Sequence, residues 1–132
     1  MSKDLKDLES VFGEVISSYS RKEAIEDGML VELIPEMVKE AGIRHPMAIT
    51  IAGWQLIDDA VKKGGKDLEG VIWDMLTMFR LNAKKSTGNE FIFEMLIWEK
   101  HVGKDRLMKF KAICGPGDTL EPVITIMLPN ES

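Results

Sequence analysis

Two histidines, one cysteine and a spread of carboxylates are the side chains from which this 132-residue chain could build acid–base, nucleophilic or metal chemistry. His45 precedes Pro46 at the start of a predicted helix, and His101 follows an apolar strand pattern. Neither lies three or four residues from another ligand-type side chain, the spacing that puts two metal ligands on one helix face. Cys114 closes an alternating apolar series, which reads as a small buried hydrophobe, and no histidine is near in sequence to activate its thiol. Glu26-Asp27 and Asp58-Asp59 pair carboxylates, yet adjacent helical residues diverge by about 100° and do not converge on one substrate atom. Gly64-Gly65-Lys66 lacks the spacing and the preceding strand of a phosphate loop. A scattered catalytic site would draw on Arg21, Asp27, His45 and Asp118, since helix ends and short loops hold functional side chains disproportionately. No cofactor and no metal is expected. Trp54, Trp73 and Trp98 sit off the centres of their apolar stripes or faces, where they either seal the core margin or line an interface.

These residues must be positioned by a chain of ordinary single-domain size, 14.9 kDa, predicted to form one α+β domain over residues 1–132. Leu5, Leu8, Phe12, Val15 and Ile16 recur at helical spacing, although residues 1–11 also read as a flexible or docked arm. Ser20-Arg21-Lys22-Glu23 is a capping box, and Gly28 a C-terminal cap, bounding a helix over about residues 21–27. Leu30 to Ile34 reads as a short strand. Pro35 opens a helix ended by Gly42. Pro46 opens another to about Lys63, with Asp58–Lys62 and Asp59–Lys63 as outward i,i+4 pairs; Met47, Ile49 and Ile51 also alternate as in a strand, but the helix is the preferred reading. Leu68, Val71, Ile72, Met75, Leu76, Phe79 and Ala83 mark the clearest helix, capped by Asp67.

From Phe91 the apolar period falls from 3.6 to 2. Phe91, Phe93, Met95 and Ile97 share one strand face; Ile92, Leu96 and Trp98 make the other apolar too, which predicts a strand covered on both sides. Gly103-Lys104-Asp105 predicts a turn. A second strand follows with Met108, Phe110, Ala112 and Cys114 inward. Gly115-Pro116-Gly117-Asp118 predicts a type II turn, and Val123 to Leu128 a last strand. The expected fold is helices packed on one face of a C-terminal three-stranded, or slightly larger, antiparallel meander.

Charge narrows the partners. Residues 1–70 hold nine basic and fourteen acidic side chains, and the remaining residues eight of each, so the net −5 lies in the first half. A pI near 5.1 argues against direct nucleic-acid binding, which needs a basic face. No apolar run approaches the roughly 20 residues that span a bilayer, and the acidic first twenty residues resemble neither a secretory signal nor a transit peptide. A reducing cytoplasm, and a monomer or homodimer, are expected.

The stretch FGEVISSYSRKEAIEDGMLVEL, Phe12 to Leu33, resembles a small bacterial family of unknown function, as does CGPGDTLEPVITIMLP, Cys114 to Pro129. AGIRHPMAIT and WDMLTMFR, between them, are similar as well, so the resemblance runs over residues 12–129. It implies a protein encoded on plasmids, integrative elements and related mobile DNA, and it brings no catalytic residue with it. The leading expectation is a non-enzymatic accessory protein acting on an unknown protein partner. A small enzyme using the scattered residues, and an acidic anti-defence inhibitor facing a basic nuclease, are the alternatives.

Overall fold

The computed structural model describes residues 20–131; the Leu5–Ile16 stripe and the 1–11 arm lie outside them. Helix α1 (Arg21–Glu26) starts on the capping box, with Ser20 Oγ accepting from the Glu23 amide at 2.9 Å. Strand β1 (Leu30–Glu32) leads to α2 (Pro35–Glu40), which ends at Gly42, whose φ of 83° only glycine adopts readily. The segment expected to be one helix from Pro46 divides instead. Residues Met47–Thr50 form strand β2, and α3 (Ile51–Lys62) begins after it, with Thr50 as the cap accepting from the Gly53 amide at 3.2 Å. Met47, Ala48 and Ile49 are all buried, so the alternating pattern prevails over the proline signal. Helix α4 (Leu68–Ala83) is capped by Asp67, which accepts from Gly70 at 2.9 Å.

Strands β3 (Glu90–Glu99), β4 (Lys104–Pro116) and β5 (Pro122–Met127) follow as a meander. The sheet is larger than that and mixed. Its order is β1-β2-β5-β4-β3, with β2 and β5 parallel and the other neighbours antiparallel. The purely antiparallel expectation fails because Met47–Thr50 is a strand rather than the start of a helix, and it pairs with the distant β5. Among the described residues the architecture is mixed α+β with four helices and five strands.

One face of the sheet carries Phe93, Met95, Ile97, Phe110, Ala112, Ile124, Ile126, Met47 and Ile49, all buried. Phe93 stacks on Phe110 across the strands at 5.7 Å and meets Phe79 of α4 edge-on at 6.2 Å. Helices α3 and α4 touch β3 from this side. Helix α1 reaches the opposite face, where the Arg21 guanidinium donates to Thr125 Oγ1 at 2.7 Å. Two further expectations are corrected here. Strand β3 is an edge strand with one face in water: Ile92 is 45% and Leu96 62% exposed. The turn forecast over Gly115–Asp118 moves on, since β4 continues to Pro116 paired with Pro122, and Gly117 N–H donates to Glu121 O at 2.8 Å. The reversal is the three-residue loop 118–120, and the left-handed position falls to Leu120, φ 70°, rather than to a glycine. The first hairpin turn also shifts, because β4 already begins at Lys104.

The end of α3 shows how tightly the layers meet. A Cβ on Gly64 would lie 2.5 Å from Trp98 Cδ2 and 2.7 Å from the Ala60 carbonyl oxygen, and backbone cannot yield as a side-chain tip can. Gly64→Ala is therefore expected to lower stability by about 1–3 kcal/mol in urea unfolding and to alter the Trp98 fluorescence of the folded state.

Candidate functional site

The sequence candidates separate into structural and open positions. Arg21 and Asp118, 97 residues apart in the chain, meet at the start of α1. The Asp118 carboxylate accepts from the Arg21 amide at 2.8 Å and from the Lys22 amide at 3.1 Å. With Ser20 on the Glu23 amide, the first-turn donors that a helix leaves unsatisfied are all taken. The Arg21 side chain is half-buried and pinned, donating to the Ile124 carbonyl at 2.6 Å and to Thr125. Burial pulls its pKa down from the ordinary value, while the charges of Asp118 and Glu32 push it back up. Both side chains are thus engaged in fastening α1 to β5 and the β4–β5 loop. Asp27 caps the other end of α1, its amide donating to the Glu23 carbonyl at 2.8 Å.

His45 belongs to a different place. Helix α2, the β1 end and the 42–47 segment enclose a cleft of about 620 Å³. Buried Leu33, Val38, Ile43 and Met47 contribute its apolar lining; Lys39, Arg44 and His45 bring cationic or cation-capable groups, and Glu32 a carboxylate. A second cavity, of about 420 Å³, shares Glu32 and Pro46 with it and runs to Arg21, Asp118 and Thr119. The two cavities therefore adjoin, bringing Arg21, Asp118 and His45 to one end of the sheet, with Asp27 lining neither. The volume matches what ligand sites commonly offer, and the apolar walls with few polar groups match their usual chemistry.

Sequence reading missed the cleft itself, because Leu33, Val38, Ile43 and Met47 look like core residues one by one. It also missed Glu99. This is the buried charged residue among those described, 3% exposed at the end of β3. Its carboxylate accepts from the His101 amide at 2.9 Å and from Arg106 Nη1 at 3.3 Å, with His101 Nε2 at 3.9 Å. The His101 amide bond chiefly lowers the Glu99 pKa; burial opposes, and the His101 and Arg106 charges add to the lowering. The signal that could have revealed it is the Glu99–Arg106 spacing across a four-residue hairpin loop. Trp54 and Trp98 are half-buried against the core, and Trp73 is 41% exposed. Cys114 is half-buried against the same core. Among the described residues no group of three or more His, Cys, Asp or Glu side chains gathers to hold a metal ion, and no helix is long and apolar enough to cross a membrane.

Two expectations follow from these contacts. Asp118→Ala should destabilise the chain by about 1–2 kcal/mol and speed hydrogen exchange at the Arg21 and Lys22 amides, with Asp118→Asn intermediate. Glu99 has a folded pKa below its ordinary value of 4.5, so its contribution is in place above that value and is lost as pH falls through the folded one. The urea midpoint of the wild type should accordingly fall more steeply between about pH 5 and pH 3 than that of Glu99→Gln.

A family model described as a family of unknown function (DUF6573) matches residues 9–132. No curated protein and no solved structure matches the chain.

Proposed function

Because the chain belongs to this family of unknown function, which assigns it no activity, we propose from the site that it is a non-enzymatic accessory protein acting through protein–protein contact. The setting we propose, a bacterial mobile genetic element, rests on the sequence resemblance alone. The observation that carries the contact reading is the α2 cleft: an apolar lining beside Lys39, Arg44 and His45, on a chain whose net charge is −5. Two basic side chains and His45 against the one lining carboxylate, Glu32, on an acidic protein favour a partner segment with acidic side chains. That segment presents one branched aliphatic or aromatic side chain to Leu33, Val38, Ile43 and Met47, with Asp or Glu beside it facing Lys39 and Arg44. Apolar burial supplies most of the affinity of such a contact, and the charges supply register and salt-dependent association. Two of the four residues on which the enzymatic alternative was drawn, Arg21 and Asp118, are engaged in fastening α1.

Selection of a random peptide library on the immobilised chain tests the reading and requires no identified partner. Enriched peptides should carry an apolar residue next to Asp or Glu, and amide shifts on binding should concentrate in residues 33–47. The double variant Lys39→Glu, Arg44→Glu changes two exposed side chains and should weaken binding by about tenfold or more, with a reduced salt dependence. Enrichment of peptides that bind elsewhere, or affinity unchanged in the variant, would overturn it.

A further inference from the structure

The two edges of the sheet are finished differently. One edge strand, β1, has three residues, whereas the other, β3, has ten. Its register against β4 runs unbroken from Glu90–Ile113 to Glu99–Lys104, with no bulge, and no proline or glycine interrupts it. The Cys114 amide donates to the Asn89 carbonyl at 2.7 Å, and this fixes the alternation: the odd-numbered residues of β3 exchange bonds with β4. The amides and carbonyls of Glu90, Ile92, Glu94, Leu96 and Trp98 therefore point away from β4, and no strand among the described residues meets them. Shortness, a bulge or a proline commonly blunts such an edge, and β3 has none of the three. A row of this kind is a template for another strand.

We propose that the chain forms a two-fold dimer in which β3 pairs antiparallel with β3 of a second copy, joining two five-stranded sheets into one of ten strands. The side chains of β3 suit that occupant and select its register. An antiparallel pair of identical strands places one residue opposite itself, on the two-fold axis. Centring on Glu94 sets two carboxylates face to face, and centring on Met95 makes them diagonal neighbours; both are unfavourable. Centring on Leu96 avoids this. Leu96 already stands across from Leu107 within the chain, so the leucines of both copies line up in one row through the axis. They are 62% and 55% exposed in a single chain, and the row shields all four. The charges on the same face fit this register. Each Glu94 stays beside Lys109 of its own β4 and meets Trp98 of the second copy, four residues from the other Glu94. Asp105 is held by Lys66 at 3.6 Å, and Glu90 lies outside the paired stretch of residues 93–99. Exchange between Leu96 and its copy, and between each Glu94 and the opposite Trp98, adds about six backbone hydrogen bonds.

Light scattering of the full chain across a concentration series tests the dimer, and the mass should climb from 14.9 kDa toward twice that value. Leu96→Arg changes an exposed side chain and sets two like charges on the axis, so it should weaken the dimer about tenfold or more. A mass that stays at one chain throughout overturns the proposal. A dimer indifferent to Leu96→Arg assigns the contact to another surface and overturns it as well. Oxidation then reads the register in a Cys114→Ala background. Leu96→Cys should cross-link two copies, because directly opposed, bonded residues stand about 5.5 Å apart at Cα, within disulfide reach. Glu94→Cys should not, since its copies lie about 13 Å apart along the strands. Cross-linking of Glu94→Cys in preference to Leu96→Cys rejects the leucine-centred pairing. The α2 cleft lies at the β1 side of the sheet, so these outcomes leave its own test untouched.

Discussion

The fold depends on the last strand lying between the two halves of the chain. Strand β5 pairs in parallel with β2 over Met47–Ile124, Ala48–Thr125 and Ile49–Ile126, and antiparallel with β4 on its other side. Without that position the N-terminal segments have no sheet to join and the β3–β4 hairpin stands alone, and a lone hairpin is marginal in water. Other side-chain bonds converge on the same strand and its flanks. Arg21 reaches the Ile124 carbonyl and Thr125, while Glu131 accepts from Thr50 Oγ1 at 2.7 Å and from the Leu128 amide at 2.8 Å. The segment after β5 thus locks the α3 cap, so the sheet closes only once β5 and its flank are in place. Such non-local closure makes folding slow relative to helical domains of equal size.

Local signals were legible from sequence because local interactions create them. The Ser20–Glu23 box, the stop at Gly42, the Asp67 cap and the Asp58–Lys62 and Asp59–Lys63 pairs, at 3.3 and 3.7 Å, each involve residues within a few positions. The period change near Asn89 was visible for the same reason. Strand β2 was not, since four residues between Pro46 and Thr50 satisfy strand alternation and the apolar content of a helix equally well. What decides is a parallel neighbour some 77 positions away, on which local propensity has no bearing. Reading β3 as covered on both faces followed from its composition. The order of the sheet, which places it at an edge, cannot be read from the strand itself.

The candidate site divides along similar lines. Charged residues at helix ends are conspicuous, and Arg21 and Asp118 were picked out; their meeting was not foreseeable, and their roles are those of a cap and a clasp. Glu99 was hidden because the last residue of an alternating strand looks like the start of a polar turn. Its carboxylate is held in place by hydrogen bonds from Arg106 and the His101 amide. A buried carboxylate satisfied in this way ties the two ends of the β3–β4 hairpin together. Among the described residues no buried side-chain nitrogen or oxygen lacks a hydrogen-bond partner.

The cleft has a simple geometric origin. Helix α2 has six residues and buries only Val38, because Pro35 fixes its start and Gly42 its end. A helix this short cannot span the side of the sheet edge formed by β1 and β2, and Leu33, Ile43 and Met47 are left lining the space it does not fill. A longer α2 would extend over these already buried residues and close the cleft. Under the proposed contact function, an occupant would supply apolar contact from outside. Such binding would stabilise the folded chain by an amount that grows with the logarithm of the occupant's concentration over its dissociation constant.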